Sequence, residues 1–524
     1  MKRTTLTIAV LSICLLCLGH VPQAQSCTSI MVGRKASADG SVMTSHTCDS
    51  HHTGSQIVVV PRLKHPRDSQ LVLSKRQEDN NGAMPRYGFL PTGSIPQVPE
   101  TFGYLMPAYA AMNERQLAIG ESTFGGRLEL RSEKGLIDCV MLTRLMLERA
   151  ATAREAIQLG GKLIEKYGWC DHGEALTIAD PQEVWLMEIV GPGKDAVGAI
   201  WAAQRVPDDQ VSIVANAARI GAIDLAQTDF FMASSNVMRY AQQQGYWNPN
   251  DAQPFRFYAA YNPKGRESVE STRREWRVLS LLAPSLELHP NRDVFPFSVK
   301  PDALVKPETV MNIFRDTYEG TEFDTTKNLT VTDENGKTVK SPLANPFMPY
   351  EMNQLLKING GWSWRGERTL ARWYCMYVTV TQSRAWLPDQ VGGIVWFGYG
   401  NPATTTYAPL YAGITEMPQE YKTDGRTTGF SRTSAWWAFN RVATLAAHRW
   451  GEMRVDVANR RDPLQQKYLG VQKTVDAEAS NLVEKNPEQA RAFLTGKSLK
   501  ACREITLAYW DLGDLLWTKY DEKW

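Results

Sequence analysis

The chain has 524 residues, of which 43% are hydrophobic and 22% are charged, with 38 Gly and 28 Pro. This ordinary globular composition excludes a disordered, collagen-like or coiled-coil protein. Lys and Arg number 58 against 56 Asp and Glu. Because there is no basic excess, we expect neither nucleic acid nor a charged membrane surface as a partner. The balance favours a small or neutral substrate over a polyanion.

The beginning of the chain has the pattern of a secretory signal peptide, predicted over residues 1–26. A basic start precedes an apolar run over residues 6–18, which is too short for a membrane span of about 20 residues. Small residues then fit a cleavage site after Ser26. We therefore expect an exported protein, periplasmic or extracellular, without a stable membrane span. Its mature domain would be residues 27–524 and would begin with Cys27.

A cysteine at the start of a mature chain has three interpretations. It can carry lipid, but the lipoprotein signal prefers a branched aliphatic residue at the third position before the cysteine, where this chain has Ala24. It can be a nucleophile whose own α-amine serves as the base. It can also be an ordinary thiol. Position alone leaves all three open for Cys27.

The cysteine and histidine pattern gives little sign of a disulfide or metal framework. Six scattered cysteines remain after the signal, and they are Cys27, Cys48, Cys139, Cys170, Cys375 and Cys502. Such spacing is not typical of a disulfide scaffold or of a structural zinc site. One segment does gather possible ligands, namely His46, Cys48, Asp49, His51 and His52. Since zinc sites usually include a second spaced pair, which the sequence lacks, we predict neither metal nor cofactor.

The first predicted element after the signal is a β-hairpin. Two β-rich runs flank an Asp-Gly turn at residues 36–40. Pairing about this turn places Cys27 opposite residues 48–52. We therefore expect Asp49, with His46 nearby, to lie close to the thiol.

Hairpins and helices alternate in blocks along the rest of the chain. Strand–turn–strand patterns predict hairpins over residues 104–124, 175–190 and 201–215. Strands are predicted again within residues 374–414. Helical spacing predicts helices over residues 137–149, 152–167, 434–450 and 464–517. Together these elements predict an α+β fold with largely antiparallel sheets and a mainly helical segment over 434–524.

The run that starts at Cys27, Cys-Thr-Ser-Ile-Met-Val-Gly-Arg-Lys-Ala-Ser-Ala-Asp-Gly-Ser, resembles the start of a mature dipeptidase of the dipeptidase A and secernin type. These enzymes are N-terminal-nucleophile hydrolases, distantly related to penicillin V acylase and bile-salt hydrolase. Further segments that resemble the family follow in its order, at residues 112–121, 180–185, 201–216 and 382–388. The resemblance covers most of the mature chain.

The resemblance implies a four-layer αββα sandwich with a helical C-terminal extension, and cleavage of dipeptides through a thioester. Cys27 would be the nucleophile, and its α-amine, with a reference pKa of about 7.7–8.0, would accept the thiol proton. Asp49 would orient that amine. Asn216 would donate its side-chain amide to the oxyanion, a contact typically worth about 3–4 kcal/mol.

The sequence departs from the related acylases at two places. His46 stands where they carry Arg, and it could still polarise the thiol in a pH-dependent way. The segment from Glu121 to Thr123 stands where they carry Asn. Thr123 would be a weaker oxyanion donor, and Glu121 would suit the α-ammonium group of a dipeptide. The acylases also carry an Arg further along the chain. Its counterpart here is Arg274, Arg277 or neither, since a run of charged residues on the surface explains the same residues.

We therefore predict an exported cysteine dipeptidase that acts on small peptides. One alternative is an amidase of the same fold that cleaves N-acyl amino acids or conjugated bile acids. The other is a lipid-anchored surface binding protein that uses Cys27 only for attachment. The sequence leaves the side-chain preference and the oligomeric state open.

Overall fold

The structure, a computed structural model, describes residues 27–50, 53–79, 86–292, 294–347 and 367–523. The predicted signal peptide lies outside these residues, as do His51 and His52. Across the described ranges, no helix is both long enough and apolar enough to cross a bilayer.

Two antiparallel sheets form the centre of the molecule. The seven-stranded sheet consists, in spatial order, of β16 (Ser298–Val299), β14 (Val211–Val214), β1 (Ser29–Val32), β2 (Val42–Asp49), β19 (Cys375–Ser383), β20 (Ile394–Tyr399) and β21 (Ala408–Tyr411). The eight-stranded sheet consists of β15 (Phe231–Ala233), β13 (Ile200–Val206), β12 (Val184–Val190), β11 (Gly173–Ala179), β10 (Ala118–Gly125), β9 (Met112–Asn113), β8 (Tyr104–Met106) and β3 (Val58–Val60).

Three two-stranded ribbons accompany these sheets. They pair β4 (Leu63–Lys64) with β7 (Glu100–Thr101), β5 (Gln70–Asp79) with β6 (Arg86–Pro96), and β17 (Thr330–Thr332) with β18 (Thr338–Lys340). The strands of the first two ribbons lie between β2 and β8 in the chain, and the sequence predicted no hairpin in this stretch.

Helices occur in blocks, as the sequence predicted. They are α1 (Cys139–Arg149), α2 (Ala153–Tyr167), α3 (Val237–Gln243), α4 (Phe257–Tyr261), α5 (Val269–Leu282), α6 (Pro307–Phe314), α7 (Asp389–Gly392), α8 (Gln419–Lys422), α9 (Gly425–Thr428), α10 (Ala435–His448), α11 (Trp450–Lys485) and α12 (Pro487–Lys519). Helix α2 begins where predicted because the Thr152 hydroxyl accepts from the backbone N–H of Glu155, whose carboxylate accepts from the Thr152 N–H. The predicted helical C-terminal region is confirmed by α10 to α12.

The core lies between the two sheets and under the helices. Every residue of β2, β11 and β12 is buried, as expected for strands covered on both faces. The Thr44 and Thr177 hydroxyls lie 2.6 Å apart and link one sheet to the other. Helix α2 packs against β11 to β13, and α5, α6 and α10 pack against strands of the seven-stranded sheet. The observed fold is therefore mixed α and β, with antiparallel sheets.

The predicted hairpin over residues 201–215 is wrong, because its two strands belong to different sheets. β13 pairs with β12, whereas β14 pairs with β1, with Ser29 opposite Val214. The turn between them instead packs against the chain that follows β1. The Asp208 carbonyl accepts from the N–H groups of Lys35 and Ala36, and a Cβ on Gly33 would lie 2.4 Å from it. This crossing brings the end of β14 beside the start of β1.

Candidate active site

Cys27 lies at the head of β1, between β2 and β14. The predicted first hairpin is confirmed, with Val32 opposite Met43 and a bridge between Thr28 and Thr47. Thr47 donates its N–H to the Thr28 carbonyl at 3.0 Å and accepts from the Thr28 N–H at 2.9 Å on its hydroxyl. Cys27 therefore lies opposite residue 48, at one end of the predicted range.

Asp49 is two residues beyond Thr47 on β2, and both of its oxygens are buried. Oδ2 accepts from the Thr47 hydroxyl at 3.2 Å and forms an ion pair with the Arg368 guanidinium. Oδ1 has no hydrogen bond among the described residues; the neighbouring Cys375 thiol donates to the Tyr377 carbonyl instead, at 3.1 Å. Burial raises the pKa of Asp49 above its ordinary value, although Arg368 opposes this shift.

The Cys27 thiol contacts a carboxylate from the other sheet. Sγ donates to Glu121 Oε1 at 2.9 Å, and His46 Nε2 lies 3.0 Å from the same oxygen. Cys27 and Glu121 are fully buried, and His46 is 2% exposed. The sequence predicted His46 near the thiol, but it assigned Glu121 to a substrate ammonium group. The structure places Glu121 directly against the sulfur.

The orientation of the His46 ring is fixed by two tyrosines. Nδ1 lies 3.4 Å from the Tyr377 hydroxyl, and the ring packs edge-on against Tyr377 and Tyr109 at centroid distances of 5.4 and 5.6 Å. Because Nε2 faces a carboxylate, that nitrogen carries the proton in the neutral ring, and Nδ1 accepts from Tyr377. His46 thus donates to Glu121.

The carboxyl groups of Glu121 and Glu174 are both buried, and together they carry one negative charge. Burial alone would raise the pKa of Glu121, but His46 and the Cys27 thiol hold it below its ordinary value. Burial, and then the Glu121 charge, raise the pKa of Glu174 well above its ordinary value. Glu121 is therefore ionised and Glu174 protonated. Thr123 donates its hydroxyl to Glu174 at 2.9 Å, so this hydroxyl is already engaged in the structure.

The thiol itself is protonated in this environment. Burial, followed by the negative charge of Glu121, raises the pKa of Cys27 well above its ordinary value. A nucleophilic role therefore needs a base that takes the proton as the sulfur attacks.

Asn216 follows β14 and has a left-handed backbone conformation, with φ of 57°. Its N–H donates to the Ser122 hydroxyl at 2.9 Å, and the Ser122 hydroxyl donates to the Cys27 carbonyl at 3.1 Å. Its side-chain Nδ2 donates to the Thr123 carbonyl at 2.6 Å. Asn216, the predicted oxyanion donor, is thus connected to the backbone carbonyl of Cys27 through the hydroxyl group of Ser122.

The structure distinguishes the two candidate arginines of α5. Arg274 is buried and donates to the Cys27 carbonyl and to Asn216 Oδ1, each at 2.8 Å. Arg277 points elsewhere and forms an ion pair with Asp316 at 2.7 Å. Of the two, Arg274 belongs to the site.

Comparison with known proteins places the chain in a family. The sequence profile of peptidase family C69 matches residues 26–462. The chain belongs to peptidase family C69. It is accordingly a cysteine-type peptidase, a hydrolase.

Curated relatives resemble this C69 peptidase over most of its length. It is 26% identical over 507 residues to "Probable dipeptidase" of Latilactobacillus sakei, with 94% of each chain covered. It is 24% identical to "Probable dipeptidase B" of Lactococcus lactis subsp. lactis (strain IL1403), covering 83% of this chain and 84% of that one. It is 24% identical to "Probable dipeptidase" of Salmonella dublin, covering 74% and 81% respectively.

Sequence reasoning missed several members of this C69 site. Arg368, from the chain just before β19, contacts Asp49. Tyr377 of β19 contacts His46, and Glu174 of β11 contacts the Glu121–Thr123 segment. No local pattern marks them. Arg368 stands in an Arg-rich stretch with Arg365 and Arg372, which signals only charge. Their partners lie up to 331 residues away in the chain.

Proposed function

We propose that this protein is an exported dipeptidase with Cys27 as its N-terminal nucleophile, built on the αββα sandwich of N-terminal-nucleophile hydrolases. The observation that carries the proposal is the position of the Cys27 thiol at the head of a central strand, 2.9 Å from an ionised carboxylate. The match to family C69 begins at residue 26, next to this cysteine. The curated relatives are named as dipeptidases.

Cleavage after Ser26 would create the base that the thiol needs. The freed α-amine of Cys27, with a reference pKa of about 7.7–8.0, can accept a proton near neutral pH. Asp49 Oδ1 is a buried acceptor without a hydrogen bond among the described residues. An N–H of the free α-amine at Cys27 would supply its missing donor, and this contact would orient the amine beside the sulfur.

The reaction then proceeds in two halves. As Sγ bonds to the substrate carbonyl carbon, the thiol proton passes to the α-amine and the carbonyl electrons move to oxygen. Asn216 Nδ2 is the proposed donor to this oxyanion, while Arg274 holds Oδ1 of the same amide. Collapse breaks the carbon–nitrogen bond, and the α-ammonium gives its proton to the departing amine. Water, deprotonated by the α-amine, hydrolyses the thioester and restores the thiol.

Charge at the site favours a dipeptide over an N-acyl amino acid. Glu121 is ionised, and Glu174 lies beside it on the next strand. A free α-ammonium group on the substrate would be attracted to the charge of Glu121, whereas an acyl group offers no charge to it. The amidase alternative has no comparable observation in its favour.

The proposal is tested on protein exported by its native host. We expect N-terminal sequencing and intact mass to give an unmodified chain starting at Cys27, and the purified protein to hydrolyse dipeptides. Cys27→Ala should lower kcat at least about 1000-fold, whereas Cys48→Ser, which replaces a buried thiol of β2, should not. A diacylglyceryl mass on Cys27 would contradict the proposal, and hydrolysis of N-acyl amino acids alone would favour the amidase.

A further inference from the structure

We propose that Cys27, His46 and Glu121 also form a binding site for a zinc-type divalent cation, which switches the peptidase off reversibly. The three side chains offer Sγ, Nε2 and Oε1, and these atoms all lie within 4.8 Å of one another. Thiolate, imidazole and carboxylate are the three ligand types that zinc takes in proteins. Binding by the three side chains does not depend on the proposed function; the inhibition, and the fourth ligand introduced below, rest on it.

The distances need only a small adjustment to hold an ion. Sγ and Nε2 lie 2.9 and 3.0 Å from Glu121 Oε1, because protons now bridge them. Bonds of about 2.0–2.3 Å to a tetrahedral zinc ion would set its ligands roughly 3.3–3.8 Å apart. These two separations would each have to lengthen by less than about 1 Å, and the separation of Sγ from Nε2, which is at most 4.8 Å, would have to come into the same range.

Charge also favours a dication at this position. A Cys27 thiolate beside ionised Glu121 would place two negative charges in a fully buried site, which is costly. A divalent ion balances both charges. Binding replaces the thiol proton, which is released to solvent, and any other ligand that starts protonated releases its proton as well.

Removal of the leader would complete the ligand set. A free α-amine at Cys27 can bind the same ion as its thiolate, since metal, nitrogen, Cα, Cβ and sulfur close a five-membered ring. The four donors then match the usual coordination number of zinc. While residue 26 is still attached, the same nitrogen is an amide and is a poor ligand. The mature protein should therefore bind the ion more tightly than the precursor.

Surrounding groups suit such an ion. When Nε2 binds metal, Nδ1 carries the proton and can donate to the Tyr377 hydroxyl, which lies 3.4 Å away. A partner of this kind is usual for metal-binding histidines. The sulfur and nitrogen donors select zinc, cobalt or cadmium over magnesium and calcium, which prefer oxygen. Because the ion occupies both the nucleophile and its base, peptidase activity must stop while it is bound.

The test uses the mature protein and cobalt(II) as the probe. We expect a thiolate-to-cobalt charge-transfer band and the intense visible bands of four-coordinate cobalt, at one ion per chain. Zinc should displace the cobalt, dipeptide hydrolysis should fall in step with occupancy, and EDTA should restore it. Magnesium at the same concentrations should produce none of these effects.

Substitutions of the three side chains test which of them bind the ion. Cys27→Ser should abolish the charge-transfer band, and His46→Gln and Glu121→Gln should each weaken cobalt binding at least about 10–100-fold. Cys48→Ser is the matched control and should keep both band and affinity, with circular dichroism confirming the fold of each variant. A band that survives Cys27→Ser, or an affinity that neither His46→Gln nor Glu121→Gln changes, would overturn the site.

The metal proposal and the peptidase proposal fail separately. If cobalt binds as described but no dipeptide is cleaved, the metal site stands and the proposed function is wrong. If dipeptides are cleaved through Cys27 but no cobalt spectrum appears, the metal site is wrong. If the precursor binds cobalt as tightly as the mature chain, the α-amine is not a ligand.

Discussion

Nη2 of Arg274 donates to Oδ1 of Asn216 over 2.8 Å. Because the guanidinium can only donate, this contact decides which end of the Asn216 amide faces the site. Oδ1 of Asn216 therefore faces the guanidinium group, and Nδ2 of Asn216 points toward Thr123. A fixed donor of this kind has no reorientation to perform when negative charge develops on a substrate oxygen.

Replacement of Arg274 should therefore impair the chemical step more than substrate binding. We expect Arg274→Gln to lower kcat by about 10²–10³, the usual loss for one oxyanion donor, with a smaller change in KM. Steady-state kinetics on a dipeptide would measure both. Arg277→Gln is the matched control on the same helix, since Arg277 pairs with Asp316 away from the thiol. Equal losses in the two variants would contradict a positioning role for Arg274.

Glu121→Gln should make the Cys27 thiol easier to ionise. The Glu121 charge is the second cause, after burial, of the raised thiol pKa, so a neutral amide should shift the midpoint of thiol alkylation to lower pH. The pH dependence of the iodoacetamide reaction rate measures this in the mature protein. Glu174→Gln is the control, because Glu174 is already protonated and its replacement changes no charge. A midpoint that rises or stays in place in Glu121→Gln would show that the carboxylate does not act on the thiol through its charge.

How much of this site could be predicted depends on the sequence distance between its parts. Cys27 and Asp49 come from one hairpin, whose turn chemistry sets the register, so their proximity followed from local pattern. Arg368 and Tyr377 reach the same hairpin from more than 300 residues away, and no local signal encodes that pairing. Sheet pairing determines such contacts, and it is a property of the whole fold.

Because sheet pairing is a property of the whole fold, the hairpin predicted over residues 201–215 was wrong as well. Both strands are largely buried, so neither has a polar face that would tell which neighbour it pairs with. The short polar turn fits a hairpin and a crossing between sheets equally well. Arg274 and Arg277 posed a similar problem, since only the rotation of α5 about its axis decides which one faces Cys27.

Glu188 should make the protein less stable as pH rises from about 4.5 to about 7. Its carboxylate accepts from the backbone N–H groups of Arg219 and Ile220, just after Asn216, yet burial raises its pKa from 4.5 to about 7. Between these values the native state binds more protons than the unfolded state, so the free energy of unfolding falls with increasing pH. The loss attributable to Glu188 is on the order of 3 kcal/mol.

Glu188→Gln isolates this effect, because the amide keeps the size of the side chain and cannot titrate. Urea unfolding of both proteins at pH 5 and pH 8 gives the difference. We expect the wild type to lose more stability than the variant between these two pH values. Identical losses would mean that Glu188 does not change protonation over this range.

The C-terminal helices should be required for a stable peptidase, although the family match ends at residue 462. Arg384, which follows β19, forms a buried ion pair with Asp476 on α11 and donates to the carbonyls of Val391 and Gly392. Asp476→Leu would leave the guanidinium buried without its counter-charge, at a cost of about 3–5 kcal/mol. Removing both charges in Arg384→Met with Asp476→Leu should cost less than the two single replacements combined. Urea unfolding of the four proteins measures this coupling, and strictly additive losses would show that the pair does not hold α11 against the sheet.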